Sequence, residues 1–152
     1  MRVRLALLII SCLLIPTIEC WADFEVLDIS LAGVIQDRQP IDPVSPPAFC
    51  EKDKNGKGEL PVIDTAVHPK IFFWMRIASS SAGTIRHTWL QHVDNTWVQI
   101  SQVNLSIRPS SGYRMWSSKD FRRGDPIGDW MIVVASSADP DQILCITRFS
   151  VK

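Results

Sequence analysis

The stretch TIRHTWLQH, residues 84–92, sets His87 and His92 on either side of Trp89. Histidine changes protonation near neutral pH, and beside a serine and a carboxylate it can activate a nucleophile. Ser117 or Ser118, with Asp94 or Asp120, supply the residue types for such a set. Neither serine sits in a Gly-x-Ser-x-Gly turn, the strained turn that presents the nucleophile in one large class of hydrolases. Extended geometry puts Ile85, His87 and Trp89 on one face and Arg86, Thr88 and Leu90 on the other. His87 and Trp89 are therefore expected as structural core residues, with the His87 ring N–H satisfied by a backbone carbonyl or a hydroxyl. Trp130, in phase with Ile132 and Val134, joins them. His92 falls on the opposite face, so the two histidines cannot chelate one metal from a strand.

Other motifs yield to plainer readings. In DKNGKGELPVID, Asp53, Asn55, Gly58 and Asp64 fall at positions 1, 3, 6 and 12 of a calcium loop. Lys57 stands at position 5, where an oxygen ligand belongs, and Pro61, Val62 and Ile63 oppose the helix that should follow. A solvated turn without metal is expected, and no cofactor. Arg123-Gly124-Asp125 matches an adhesion tripeptide, yet Gly124-Asp125-Pro126 is ordinary turn chemistry. Asn104-Leu105-Ser106 fits a glycosylation sequon in mid-strand. YRMWSSKDF, residues 113–121, carries the candidate binding set. Arg114 and Trp116 share a face with Ser118 and could stack at the surface, while Ser117, Ser118 and Lys119 bring donors beside them.

The elements that must hold these residues read as strands. FEVLDISLAGVIQ alternates, with Leu27, Ile29 and Leu31 on one face and Asp28 and Ser30 on the other. Six further runs, at 70–78, 84–92, 96–108, 113–118, 129–136 and 143–151, are rich in β-branched and aromatic residues and parted by turn sequences. The alternation in 96–108 slips between Ile100 and Val103, and a bulge near Ser101 or Gln102 would restore it. Residues 38–61 hold five of the ten prolines, and the whole of 37–69 reads as a long loop. No segment sustains a helical period. The expected fold is all-β, an antiparallel immunoglobulin-like sandwich of about seven strands, with a small β-barrel as the alternative.

At the N-terminus Arg2 and Arg4 precede an apolar run over residues 5–15, then Pro16 and a small residue at Ala22. Residues 1–22 are expected as a cleaved signal peptide, leaving residues 23–152 as a single domain without a transmembrane anchor, periplasmic or secreted. Removing Arg2, Arg4 and Glu19 from the 16 basic and 16 acidic side chains leaves 14 and 15. That balance gives no footprint for nucleic acid. Cys50 and Cys145 alone remain of the four cysteines, and in an oxidising compartment they are expected to form a disulfide. Two buried thiols are the alternative.

RQP after the first strand, HTW at 87–89, YRMWSSKDF, GDW at 128–130 and FSV at 149–151 together resemble the bacterial family called domain of unknown function 2914. The resemblance runs over about residues 26–151 and implies an exported bacterial β-domain without assigning catalytic residues. The loop bearing Cys50 and the turn ADPDQ depart from it. The combined expectation is a non-enzymatic module of the cell envelope that binds an envelope or extracellular protein, or alternatively a glycan. A hydrolase is the distant third.

Overall fold

Alternating apolar and polar residues build nine strands and no helix among the described residues of this computed structural model, which are 23–51, 58–121 and 127–152. The expected signal peptide, the Asp53, Asn55 and Lys57 positions of the calcium-loop pattern, and the Arg-Gly-Asp tripeptide lie outside them. In chain order the strands are β1 Phe24–Gln36, β2 Gln39–Pro43, β3 Val62–Ile63, β4 Lys70–Ser79, β5 Gly83–Val93, β6 Thr96–Ile107, β7 Ser110–Asp120, β8 Gly128–Ser136 and β9 Ile143–Val151. They form two open sheets, a four-stranded one in the order β2-β1-β4-β7 and a five-stranded one in the order β3-β9-β8-β5-β6. The fold is a β-sandwich, and the closed barrel is excluded.

Two of the nine strands arise where the prolines predict only loop. Both β2 and β3 lie at sheet edges, where a strand can carry a residue without an N–H to donate. The β3 pairing with β9 is parallel, a departure from the all-antiparallel expectation that is confined to Val62 and Ile63. The β1–β2 and β5–β6 hairpins turn through Asp37-Arg38 and Asp94-Asn95, four residues with φ between 48° and 62°. Positive φ at both central positions matches the twist of the strands that the turn joins. In the ADPDQ turn Asp139 Oδ1 accepts from the Asp141 amide at 3.1 Å, so the side chain braces the turn.

Bulges correct the facing of two strands. The β1–β4 register shifts between Val26 and Asp28, so Leu27 is turned outward, 38% exposed, and Val26 packs on the core in its place. One inserted residue reverses every later face. In β6 the extra residue is Ile100, between Gln99 opposite Leu90 and Ser101 opposite Trp89. It lies beside the position that the alternation predicts.

Between the sheets, Ile71, Phe73, Met75 and Ile77 of β4 face Ile85 and Trp89 of β5 and Trp130, Ile132 and Val134 of β8, all buried. Each such apolar side chain contributes about 1.5–3 kcal/mol on leaving water. The segment after β2 closes one flank. The Val44 amide donates to the Leu31 carbonyl of β1, the Glu51 amide donates to the Ile146 carbonyl of β9, and Cys50 is disulfide-bonded to Cys145 with Cα atoms 5.3 Å apart. The bond ties this segment to the five-stranded sheet across 95 residues of chain.

Thiol titration of residues 23–152, denatured and unreduced, should therefore detect no free thiol. Replacing Cys145 by Ala should lower stability to unfolding by about 3–5 kcal/mol.

Candidate functional site

The histidine of the opening stretch lies at the centre of the sandwich, and its face follows the strand period. β5 alternates strictly from Ile85 to Gln91, and His87 is completely buried there. Phe73 of the opposite sheet meets its ring edge-on at 5.0 Å between centroids. Both ring nitrogens have partners from that sheet. Nδ1 lies 2.9 Å from Ser117 Oγ of β7, and Nε2 lies 3.1 Å from Met75 Sδ of β4. The Trp89 indole N–H donates to the same Ser117 Oγ at 3.1 Å.

These contacts fix where the protons are. A thioether sulfur has lone pairs and no hydrogen, so Nε2 can meet it favourably only as a donor. That assigns the neutral tautomer with the proton on Nε2 and a lone pair on Nδ1. Ser117 then donates its hydroxyl proton to Nδ1 and accepts from Trp89. The result is one directed chain, Trp89 to Ser117 to His87 to Met75, in which every polar hydrogen has an acceptor. Burial pushes the His87 pKa down from 6.5 to about 3. The unfolded chain takes up this proton below about pH 6.5 and the folded one only near 3, so the folded state loses relative stability as pH falls through that window.

A serine beside a histidine is half of a hydrolytic site, yet the rest of this arrangement opposes hydrolysis. The second ring nitrogen faces sulfur instead of a carboxylate, and both residues are shut inside the sandwich. Asp94 lies in the β5–β6 turn, and Asp120 faces Lys70 at 3.5 Å. His92 sits on the opposite face of β5, as its odd spacing requires, with its ring 5.0 Å from that of Trp97. Among the described residues no three His, Cys, Asp or Glu side chains gather around a common point.

The five candidate binding residues of β7 divide between its faces. Arg114, Trp116 and Ser118 point outward from the four-stranded sheet, paired with Arg76, Trp74 and Phe72 of β4. Ser117 points inward as described. Lys119 lies on the inner side at the open end, with Nζ 5.3 Å from the Phe121 ring centre and 5.4 Å from that of Trp130. Trp130 is buried, stacks on Phe149 at 6.4 Å, and its Nε1 has no hydrogen-bond partner among the described residues.

Sequence reasoning missed the residues that hold this outer face together. The tip of the β1–β2 hairpin reaches across β4 to β7. The Arg38 carbonyl accepts from Trp74 Nε1 at 2.9 Å, and Arg38 Nη2 donates to the Arg114 carbonyl at 3.0 Å. With its amide oxygen turned toward β7, Gln39 accepts from Arg114 Nε at 3.3 Å and Nη2 at 3.1 Å. The arginine over an aromatic ring is Arg38, 5.6 Å from the Tyr113 centroid. Gly33 leaves room for the His68 ring against β1, since a Cβ there would come within 2.7 Å of His68 Nδ1. The only forward signal was the RQP tripeptide that holds both Arg38 and Gln39.

Residues 82–151 match the sequence model of a family described as protein of unknown function (DUF2914), the family that the sequence resembles. HTW, YRMWSSKDF, GDW and FSV all fall inside the matched residues, and RQP falls outside. No curated protein matches. Among solved structures, the crystal structure of a Niemann-Pick type C2 protein from Japanese carpenter ant is similar, with a TM-score of 0.50 and 10% identity over 88% of this chain and 96% of that one. At that identity the likeness is one of fold.

The two neighbouring serines test the assignment. Ser117→Ala strands the Trp89 donor and the Nδ1 lone pair together and should cost about 2–4 kcal/mol in denaturant unfolding. Ser118→Ala, on the exposed face, should change stability by less than about 0.5 kcal/mol.

Proposed function

We propose that this chain is an exported, non-catalytic β-sandwich of the bacterial cell envelope that binds another protein through the outer face of its four-stranded sheet. The observation that carries the reading is the half-buried Trp116, which lies beside the buried Trp74 and diagonal to Phe72 on one sheet face. Arg114 is held in place beside it by Gln39 and Arg38. Tryptophan and arginine are the residues most enriched among binding hot spots, and both are worth most where the side chain is positioned before contact. Phe72 extends the apolar area, and Lys70 with Asp120 gives it a charged rim.

The absence of catalysis is supported by the sealed His87–Ser117 pair, whose polar atoms serve one another. Export is supported by the leader pattern and agrees with the Cys50–Cys145 disulfide, which persists in oxidising compartments. No helix among the described residues is long and apolar enough to cross a membrane. Glycan binding is the second reading, favoured by the His92–Trp97 ring pair on the outer face of the other sheet, where an aromatic plane could stack on a sugar.

Capture from envelope extract by the immobilised mature domain, with a glycan array in parallel, tests the reading. Trp116→Ala should lower retention of a specific protein at least tenfold and shift the melting temperature little. Retention unaffected by Trp116→Ala and Arg114→Ala, or binding confined to the glycan array, would count against a protein site here.

A further inference from the structure

The edges of the two sheets differ in how they are protected. β2 carries Pro40, Pro43 and Asp42, β7 carries Arg114, Lys119 and Asp120, and β3 is two residues long. Prolines, charges and shortness are the usual means by which an edge strand avoids pairing with a foreign strand. β6 has none of them. Its sequence, TWVQISQVNLSI, contains no charged residue, no proline and no glycine over 12 positions, and among the described residues it pairs only with β5. The bulge at Ile100 interrupts one end, but Ser101 to Ile107 run opposite Trp89 to Gly83 without a shift. Seven regular residues are enough to pair as a full strand, the commonest length being about 5–6. Val98 and Ile100 add exposed apolar surface beside them.

We propose that β6 pairs antiparallel with β6 of a second copy of this chain, joining two five-stranded sheets into one across a two-fold axis. The choice of a second copy rests on complementarity. A two-fold sets residues near the middle of the strand beside their own counterparts, so a charged edge would repel itself. Here the exposed side chains of the regular part are Gln102, Asn104 and Ser106. Each carries both a donor and an acceptor and can therefore bond to its own copy. With 14 basic and 15 acidic side chains in residues 23–152, the net charge is close to zero and long-range repulsion between two copies is weak. This surface belongs to the sheet opposite Trp116, and the dimer leaves the proposed protein-binding face free.

Sedimentation equilibrium of the purified mature protein, up to on the order of 100 µM, should give a mass approaching twice that of one chain. Gln102→Lys and Gln102→Glu, near the middle of the strand, should each sediment as monomers that remain folded and unfold in one cooperative transition. An equimolar mixture of the two should restore the dimer, because unlike charges then meet across the axis. A monomeric wild type at the highest concentration overturns the proposal, as does a Gln102→Lys protein that remains dimeric. A wild type that stays monomeric while a different protein adds a strand to β6 overturns it too, in favour of a heterologous partner.

Discussion

The two sheets are locked in one relative position by a single buried polar chain. Apolar contacts between sheets are forgiving, because one aliphatic side chain can slide against another at little cost. The Trp89–Ser117–His87–Met75 chain is not, since it takes two members from β5 and one each from β7 and β4. A shift of one sheet by a residue step would leave an indole N–H and a ring nitrogen without partners in a dry core. Each group so stranded costs about 1–3 kcal/mol, and apolar packing around it offers nothing in return. The polar residues therefore select the packing that the apolar ones make favourable.

The disulfide acts at the flank, where the sandwich is less well closed. The segment from Val44 to Glu51 bonds to β1 at one end and to β9 at the other, so it spans the gap between sheets that no strand fills. A covalent tie at Cys50 holds that strap where only a few backbone hydrogen bonds would otherwise do so. The hairpin of β1 and β2 plays a comparable part on the outer face, covering Trp74 and fixing Arg114. Core chemistry and surface chemistry are thus separated by one strand. Along β7, Ser117 turns in to complete the polar chain while Trp116 and Ser118 turn out.

Much of this was legible in the sequence, and the reasons for the gaps are physical. The seven long strands show in period-two alternation, because each has one face against the core. The face of His87 followed from Ile85 and Trp89, but its ring N–H meets the Met75 sulfur, not the carbonyl or hydroxyl expected for it, and the Ser117 hydroxyl donates to the other nitrogen. Neither partner was legible, since periodicity assigns faces within a sheet and says nothing of what the other sheet presents. Ser117 was grouped with the donors of the binding surface, although its phase against Arg114, Trp116 and Ser118 puts it on the other face of β7, where it is buried. Leu27 was misplaced because a bulge is invisible to a strict alternation. β3 was missed because a two-residue pairing has no period to detect, and β2 because its prolines read as loop when they mark an edge.

Nitrogen chemical shifts of the His87 ring, followed in the folded protein from about pH 7 to about pH 4, read the position of its proton directly. The structure predicts one tautomer throughout, with Nε2 protonated toward Met75 and Nδ1 bare toward Ser117, and no titration in that range. A ring that protonates near pH 6.5, or that carries its neutral proton on Nδ1, would contradict a sealed polar chain and reopen His87 as a residue within reach of solvent and substrate.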